Sequence, residues 1–221
     1  MTDTKYYPDR IDCIFTKLNT VWQLIGAFTA PVLFTLLAIL FLTYPALNMY
    51  QWLLWLHLPV IMIHEFEEYT APGGFKHFIN TKTILATGDN RENVPLNEPY
   101  IFLVNPLLIW PWVIIGAVFY TIPWIGFAAI MFQFAINNLQ HIITFQLKNR
   151  GYNPGMFTTM LLLIPYCVTV TWYVIAYNVM TGTDWVLSFI LFGLIVGVLL
   201  TITHSRMKPP VTPSQHLNTS F

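Results

Sequence analysis

His64, Glu67 and Glu68 stand at i, i+3 and i+4 in the stretch His64-Glu-Phe-Glu-Glu-Tyr-Thr-Ala-Pro-Gly-Gly-Phe75. On a helix this spacing projects all three from one face. An imidazole and two carboxylates on one stripe can bind a divalent cation, with Zn, Fe or Mn suited to the mixed N/O set. The same groups can serve as general acid and base. Glu65 falls at another helical phase and is expected to face headgroups or solvent. A second group follows at Asn137 and His141, four apart, with Gln133 one turn above. An imidazole oriented by a neighbouring amide is what a metal ligand or a base requires. His204, just before Arg206 and Lys208, is a further candidate ligand.

Each of these has a plainer reading. Acids at a membrane helix end can simply reach the interface, and amides within spans often do no more than join helices. A histidine in a last helical turn is favoured by the dipole alone. His57, by itself on an apolar face, reads as a hydrogen-bonded core residue. Several familiar chemistries are ruled down. Position 68 is Glu, so HExxH fails, and no GxSxG, P-loop or GxGxxG occurs. Cys13 and Cys167 form neither a CxxC pair nor a disulfide framework.

The elements that must position these residues are membrane helices. Of 221 residues 56% are hydrophobic and 9% charged, against roughly 25% charged in soluble domains, which excludes a water-soluble globule. The net charge of zero gives no reason to expect a nucleic-acid partner. A span needs about 20 apolar residues. Six fit, near 21–44, 50–69, 100–121, 124–145, 156–180 and 185–203, making an all-α polytopic bundle. Residues 1–20 then form an N-terminal segment, 21–204 the membrane domain with a loop at 70–98, and 205–221 a disordered tail. The loop is expected either to fold over the bundle or to be mobile. Asn105-Pro106 should bend the third span, with the Asn amide covering carbonyls freed by the bend.

Six spans put all ten Lys and Arg residues on one side and none on the other. That asymmetry predicts cytoplasmic termini in a multi-pass protein of a cell membrane, expected to be a bacterial inner membrane. The ends of spans two, four and six, carrying His64-Glu67-Glu68, His141 and His204, then share one depth. Asn105 and the turn Tyr152-Asn-Pro154-Gly155 join them at the cytoplasmic end.

These residues resemble the HXXEE family of integral-membrane proteins. The His64-Glu-Phe-Glu-Glu68 motif is followed by segments similar to the family's Asn-Ala-x-x-His and Tyr-x-Pro-Gly motifs. They read here Asn137-Asn-Leu-Gln-His141, with Asn138 in place of Ala, and Tyr152-Asn-Pro-Gly155. The resemblance implies an enzyme of undefined substrate and singles out His64, Glu67, Glu68, Asn137, His141, Tyr152, Pro154 and Gly155. Three functions are open at this point. The first is a metal-dependent hydrolase or transferase acting on a lipid-like or amphipathic substrate, with ligands from His64, Glu67, Glu68, His141 and His204. The second is a metal-free Glu/His intramembrane hydrolase. The third is a small proton-coupled transporter, for which polar groups at several depths would be expected.

Overall fold

The computed structural model describes residues 10–44, 46–86 and 93–207. Among the described residues it is all helix, with no strand. The helix others pack around is α2 (Met49–Tyr69). Asn48 caps its start, with its side-chain oxygen accepting from the Gln51 N–H at 2.9 Å. Its residues are apolar at nearly every phase, the pattern of a helix buried on all sides. Leu53, Leu54, Leu58, Val60, Ile61 and Met62 are accordingly all buried.

Around it lie α1 (Arg10–Thr43), α5 (Trp110–Val118) and α8 (Ile164–Ala176), each in contact with α2. α6 (Pro123–Phe132) packs between α5 and α9 (Gly182–Met207). One apolar cluster joins Leu53, Leu54, Phe127, Leu163 and Val170; a second joins Leu58, Ile61, Ile109, Trp112 and Phe132. Such contacts between membrane helices depend on close packing, because lipid tails are as apolar as the side chains.

Four segments are long and apolar enough to cross a membrane: Cys13–Thr43, Glu98–Val118, Met156–Ala176 and Gly182–Met207. Two of the six expected spans are absent from that set, α2 and the rod that starts with α6. They carry the glutamates and the Gln/Asn/His run, and that polar content sets them apart from the other four. Helix α1 also begins well before residue 21, so residues 10–20 are helical, and Asn19 is buried with its amide on the Glu98 carboxylate at 2.6 Å. At the other end Ser205–Met207 complete α9. Residues 208–221, the rest of the expected tail, lie outside the described residues.

The 70–98 loop contains α3 (Phe75–Lys82). Gly73 and Gly74, at φ +72° and +88°, make a turn that side chains with a Cβ rarely adopt. It swings Phe75 back over the bundle, where its ring stacks on His141 at 5.6 Å.

Three rods carry π-helical turns. These are Asn105–Ile109, between α4 (Glu98–Val104) and α5; Gln133–Asn138 and Gln140–Thr144, after α6; and Thr159–Leu163, between α7 (Met156–Thr158) and α8. In the first, the Asn105 amide donates to the Ile101 carbonyl at 3.0 Å, a carbonyl that already accepts the Asn105 backbone N–H and so is not one freed by Pro106. π turns recur at functional sites, and here they flank the polar end of α2.

The α5–α6 hairpin closes through two glycines. A Cβ on Gly116 would stand 2.6 Å from the Gly126 Cα. Gly116→Ala should therefore force the helices apart at a cost of about 1–3 kcal/mol. A lowered Tm in detergent is the expected reading, and an unchanged Tm would contradict it. Gly193 and Gly197 behave differently: nothing lies within 4 Å of a Cβ built on either, so their GxxxG spacing serves no contact among the described residues.

Candidate metal centre

The last turns of α2 hold His64, Glu65, Glu67 and Glu68, each at most 5% exposed. His141 comes from the π turn Gln140–Thr144, and Asn153, Gly155 and Thr158 come from the turn into α7. The ring nitrogens of His64 and His141 and an oxygen of Glu68 lie within 4.8 Å of one another. Glu68 Oε1 stands 3.2 Å from His141 Nε2 and 3.4 Å from His64 Nε2. A tetrahedral centre with bonds of 2.0–2.1 Å has ligand–ligand edges of about 3.3 Å, so both separations suit one small cation.

The surrounding hydrogen bonds fix which nitrogens carry protons. Asn153 Nδ2 donates to the His141 carbonyl at 3.1 Å, so its Oδ1 is the atom 2.6 Å from His141 Nδ1. His141 therefore donates from Nδ1, which in the neutral ring leaves Nε2 as a lone pair. The Thr158 hydroxyl donates to Glu67 Oε2 at 2.5 Å, leaving Oγ1 to accept from His64 Nδ1 at 3.0 Å. In the neutral ring His64 Nε2 is likewise a lone pair, and it is buried without a hydrogen-bond partner among the described residues. Three acceptors face one point. Such an arrangement needs a cation or a proton, and outer hydrogen bonds of this kind are how proteins orient metal-binding imidazoles.

Gly155 closes one side of the cluster. It adopts φ +91°, and a Cβ there would lie 2.6 Å from His141 Cε1 and 2.9 Å from both Glu68 Cγ and His64 Cε1. The buried Pro154 precedes it in the turn.

Glu67, expected as a ligand or catalytic group, lies outside the three-residue cluster, and the turn into α7 holds its carboxylate. Its Oε1 accepts from the Tyr152 hydroxyl at 2.8 Å and Phe157 N at 3.1 Å. Its Oε2 accepts from Thr158 N at 2.6 Å and from the Thr158 hydroxyl. The carboxylate thus caps the N-terminus of the α7 rod, where backbone N–H groups favour an anion. Burial, then the bond to Glu67 and its charge, push the Tyr152 phenol above its ordinary range.

The other expectations fare unevenly. His204 is exposed and outside the cluster. Asn137 donates to Gln133 Oε1 at 2.5 Å and lines a neighbouring cavity rather than orienting His141. Asn138, where the family motif has Ala, is buried, with its amide 3.7 Å from Cys167 Sγ. Asn105 also lines the cavity, and its amide lies 3.3 Å from the Tyr69 hydroxyl. His57 packs on Tyr166, ring centroids 5.2 Å apart. Glu65 is buried rather than exposed, because α5 covers that face of α2, and Trp110 Nε1 donates to its Oε2 at 2.7 Å.

Asn153 and Thr158 were missed. Asn153 holds the variable position of Tyr-x-Pro-Gly, and its residue type beside a Pro-Gly turn was the one available clue. Thr158 carries none in the sequence.

Beside the cluster opens a cavity of about 200 Å³. Ile61, Ile109, Phe132, Ile136 and Leu199 make it apolar, while Glu68, Glu65, Asn137 and Gln140 supply polar groups.

The fold and site define a helical protein of membrane character with a buried His/Glu cluster able to hold a metal ion. The chain belongs to the family of proteins of unknown function with an HXXEE motif, whose profile matches residues 55–170. That stretch contains the whole cluster and every residue that orients it. No curated protein and no solved structure matches the chain.

Proposed function

We propose that this chain is an integral-membrane enzyme in which His64, Glu68 and His141 hold one divalent ion, of the Zn, Fe or Mn type, beside a lipid-like substrate. The observation that carries this reading is the set of three buried lone-pair donors, 3.2 and 3.4 Å apart along two edges, at the margin of an apolar cavity. A divalent ion there would act as a Lewis acid on an ester or amide carbonyl, in hydrolysis or transfer. The chain's own part is to fix both imidazoles through Thr158 and Asn153, and to offer an apolar wall to the substrate's chain.

The arrangement in the bilayer is six spans with both termini in the cytoplasm. In support, α2 and the α6 rod lie among the four strongly apolar segments, where polar side chains are kept from lipid. The lysine and arginine distribution favours the same orientation.

Elemental analysis of protein purified without added chelator tests the metal. Near one equivalent of a divalent metal is expected in the wild type, and little in His64→Ala. If the protein carries no stoichiometric metal, and stripping changes no measured property, a metal-free reading replaces this one. The hydrogen-bond distance between Glu68 and His141 favours that second reading, in which the pair shares a proton and works as acid and base.

A further inference from the structure

The cavity beside the cluster is narrow for its depth. Four rods line it, and each contributes an innermost residue: Ile61 from α2, Ile109 from the π turn before α5, Phe132 from α6 and Val196 from α9. All four belong to one packed apolar cluster, so they form a floor. The outermost lining residues of the same rods are Tyr69, Tyr100, Gln140 and Thr203, each seven to nine positions along the chain from its floor residue. At 1.5 Å per residue, every rod gives a depth of about 10–14 Å. The volume is about 200 Å³. A methylene takes about the 30 Å³ of a water, so about seven of them fill it. Spread over that depth, they stand in single file. Two chains side by side would reach less than half-way to the floor. The outer end carries the polar groups of Glu68, Asn137 and Gln140. Glu65 also borders the cavity, with its Oε2 held by Trp110.

We propose that the cavity takes one unbranched hydrocarbon chain of about seven or eight carbons, counted from a carbonyl at the Glu68 end, and that Ile61 and Val196 set its length. This names the substrate class for the function proposed above: an ester or amide of a single medium-length acyl chain. It rests on that reading only for which end of the molecule reacts. Selection by length needs no metal.

Native mass spectrometry of the full chain tests it, in digitonin, whose steroid body offers the cavity no straight chain. The probes are 2-hexanone, 2-decanone and 2-tetradecanone, which keep the carbonyl, lack a leaving group and differ only in tail length. Affinity is expressed against mole fraction in the micelle, so that ordinary partition into hydrocarbon cancels. It should rise from 2-hexanone to 2-decanone and fall about fivefold or more at 2-tetradecanone, whose extra methylenes overpack the floor. Ile61→Ala removes about three carbons from the floor and should move the optimum to longer tails by that amount. Val196→Phe fills the floor and should move it to shorter ones. Val196 is half-buried on the peripheral α9, so this variant keeps the test decisive where Ile61→Ala fails to fold. No optimum in the wild type would overturn the proposal, and so would an optimum that a folded variant leaves in place. Metal content measured on the same samples separates the two readings. A length optimum without metal defeats the metal centre alone, and metal without an optimum defeats this proposal alone.

Discussion

On the proposed metal reading, Gly155→Ala should strip the cluster of its ion while leaving the bundle folded. The added methyl would enter from the one side closed by backbone, 2.6 Å from His141 Cε1 and 2.9 Å from His64 Cε1 and Glu68 Cγ. None of these is the far end of a flexible chain that could swing aside. Both rings are held from behind, by Asn153 and Thr158, and Glu68 is buried. The φ of +91° adds strain of about 1–2 kcal/mol for any residue with a Cβ. The turn can relieve both penalties only by moving away, which pulls Asn153 off His141. Metal affinity should fall by about 100-fold or more, read as loss of metal from the purified protein against an unchanged helical circular-dichroism spectrum. Retention of a full equivalent would mean that the cluster is not where the metal binds.

The cluster's first half was legible because helical phase is a local property. His64 and Glu68 lie one turn apart on any helix, and they do meet, at 3.4 Å. His141 could be added because the expected topology returns the fourth span to the same depth. Glu67 marks the limit of helical phase. It shares the stripe with Glu68, but whether a carboxylate meets a metal or a row of N–H donors depends on what arrives opposite. Residues about 85 to 91 positions further along the chain arrive there. Glu65 shows the reverse error. Its helical phase does differ from that of the stripe, but α5 rather than lipid or water covers that face, and the side chain is a buried polar group with one partner. Four apolar segments were legible from length and apolarity, and the two rods outside that set are the ones whose polar content weakens the span pattern.

A carboxylate capping α7 also explains why two adjacent glutamates serve one centre. Glu67 pins the turn that contains Asn153, Gly155 and Thr158, and Glu68 faces the rings which that turn orients. The motif thereby couples one helix end to the loop that completes the site, through four hydrogen bonds to a single side chain.

Asn153→Ala tests that coupling at its most sensitive point. The side chain's Oδ1 accepts from His141 Nδ1–H at 2.6 Å, and its Nδ2 donates to the carbonyl of the same residue at 3.1 Å. Without it the imidazole is free to carry its proton on Nε2 and donate to Glu68 Oε1, now 3.2 Å away. The cluster would then satisfy itself with a proton, and a metal would have to displace it. Affinity for zinc should drop about 10- to 100-fold, more steeply at lower pH because protons and metal compete for one nitrogen. Nitrogen-15 NMR of labelled histidine in the metal-free protein distinguishes this from general loosening. His141 should move from the Nδ1–H form in the wild type to the Nε2–H form in the variant. Asn153→Asp keeps an acceptor for Nδ1 and should restore the wild-type form, although it repels the His141 carbonyl. If Asn153→Ala lowers affinity with the Nδ1–H form intact, Asn153 acts on the shape of the turn and not on the proton.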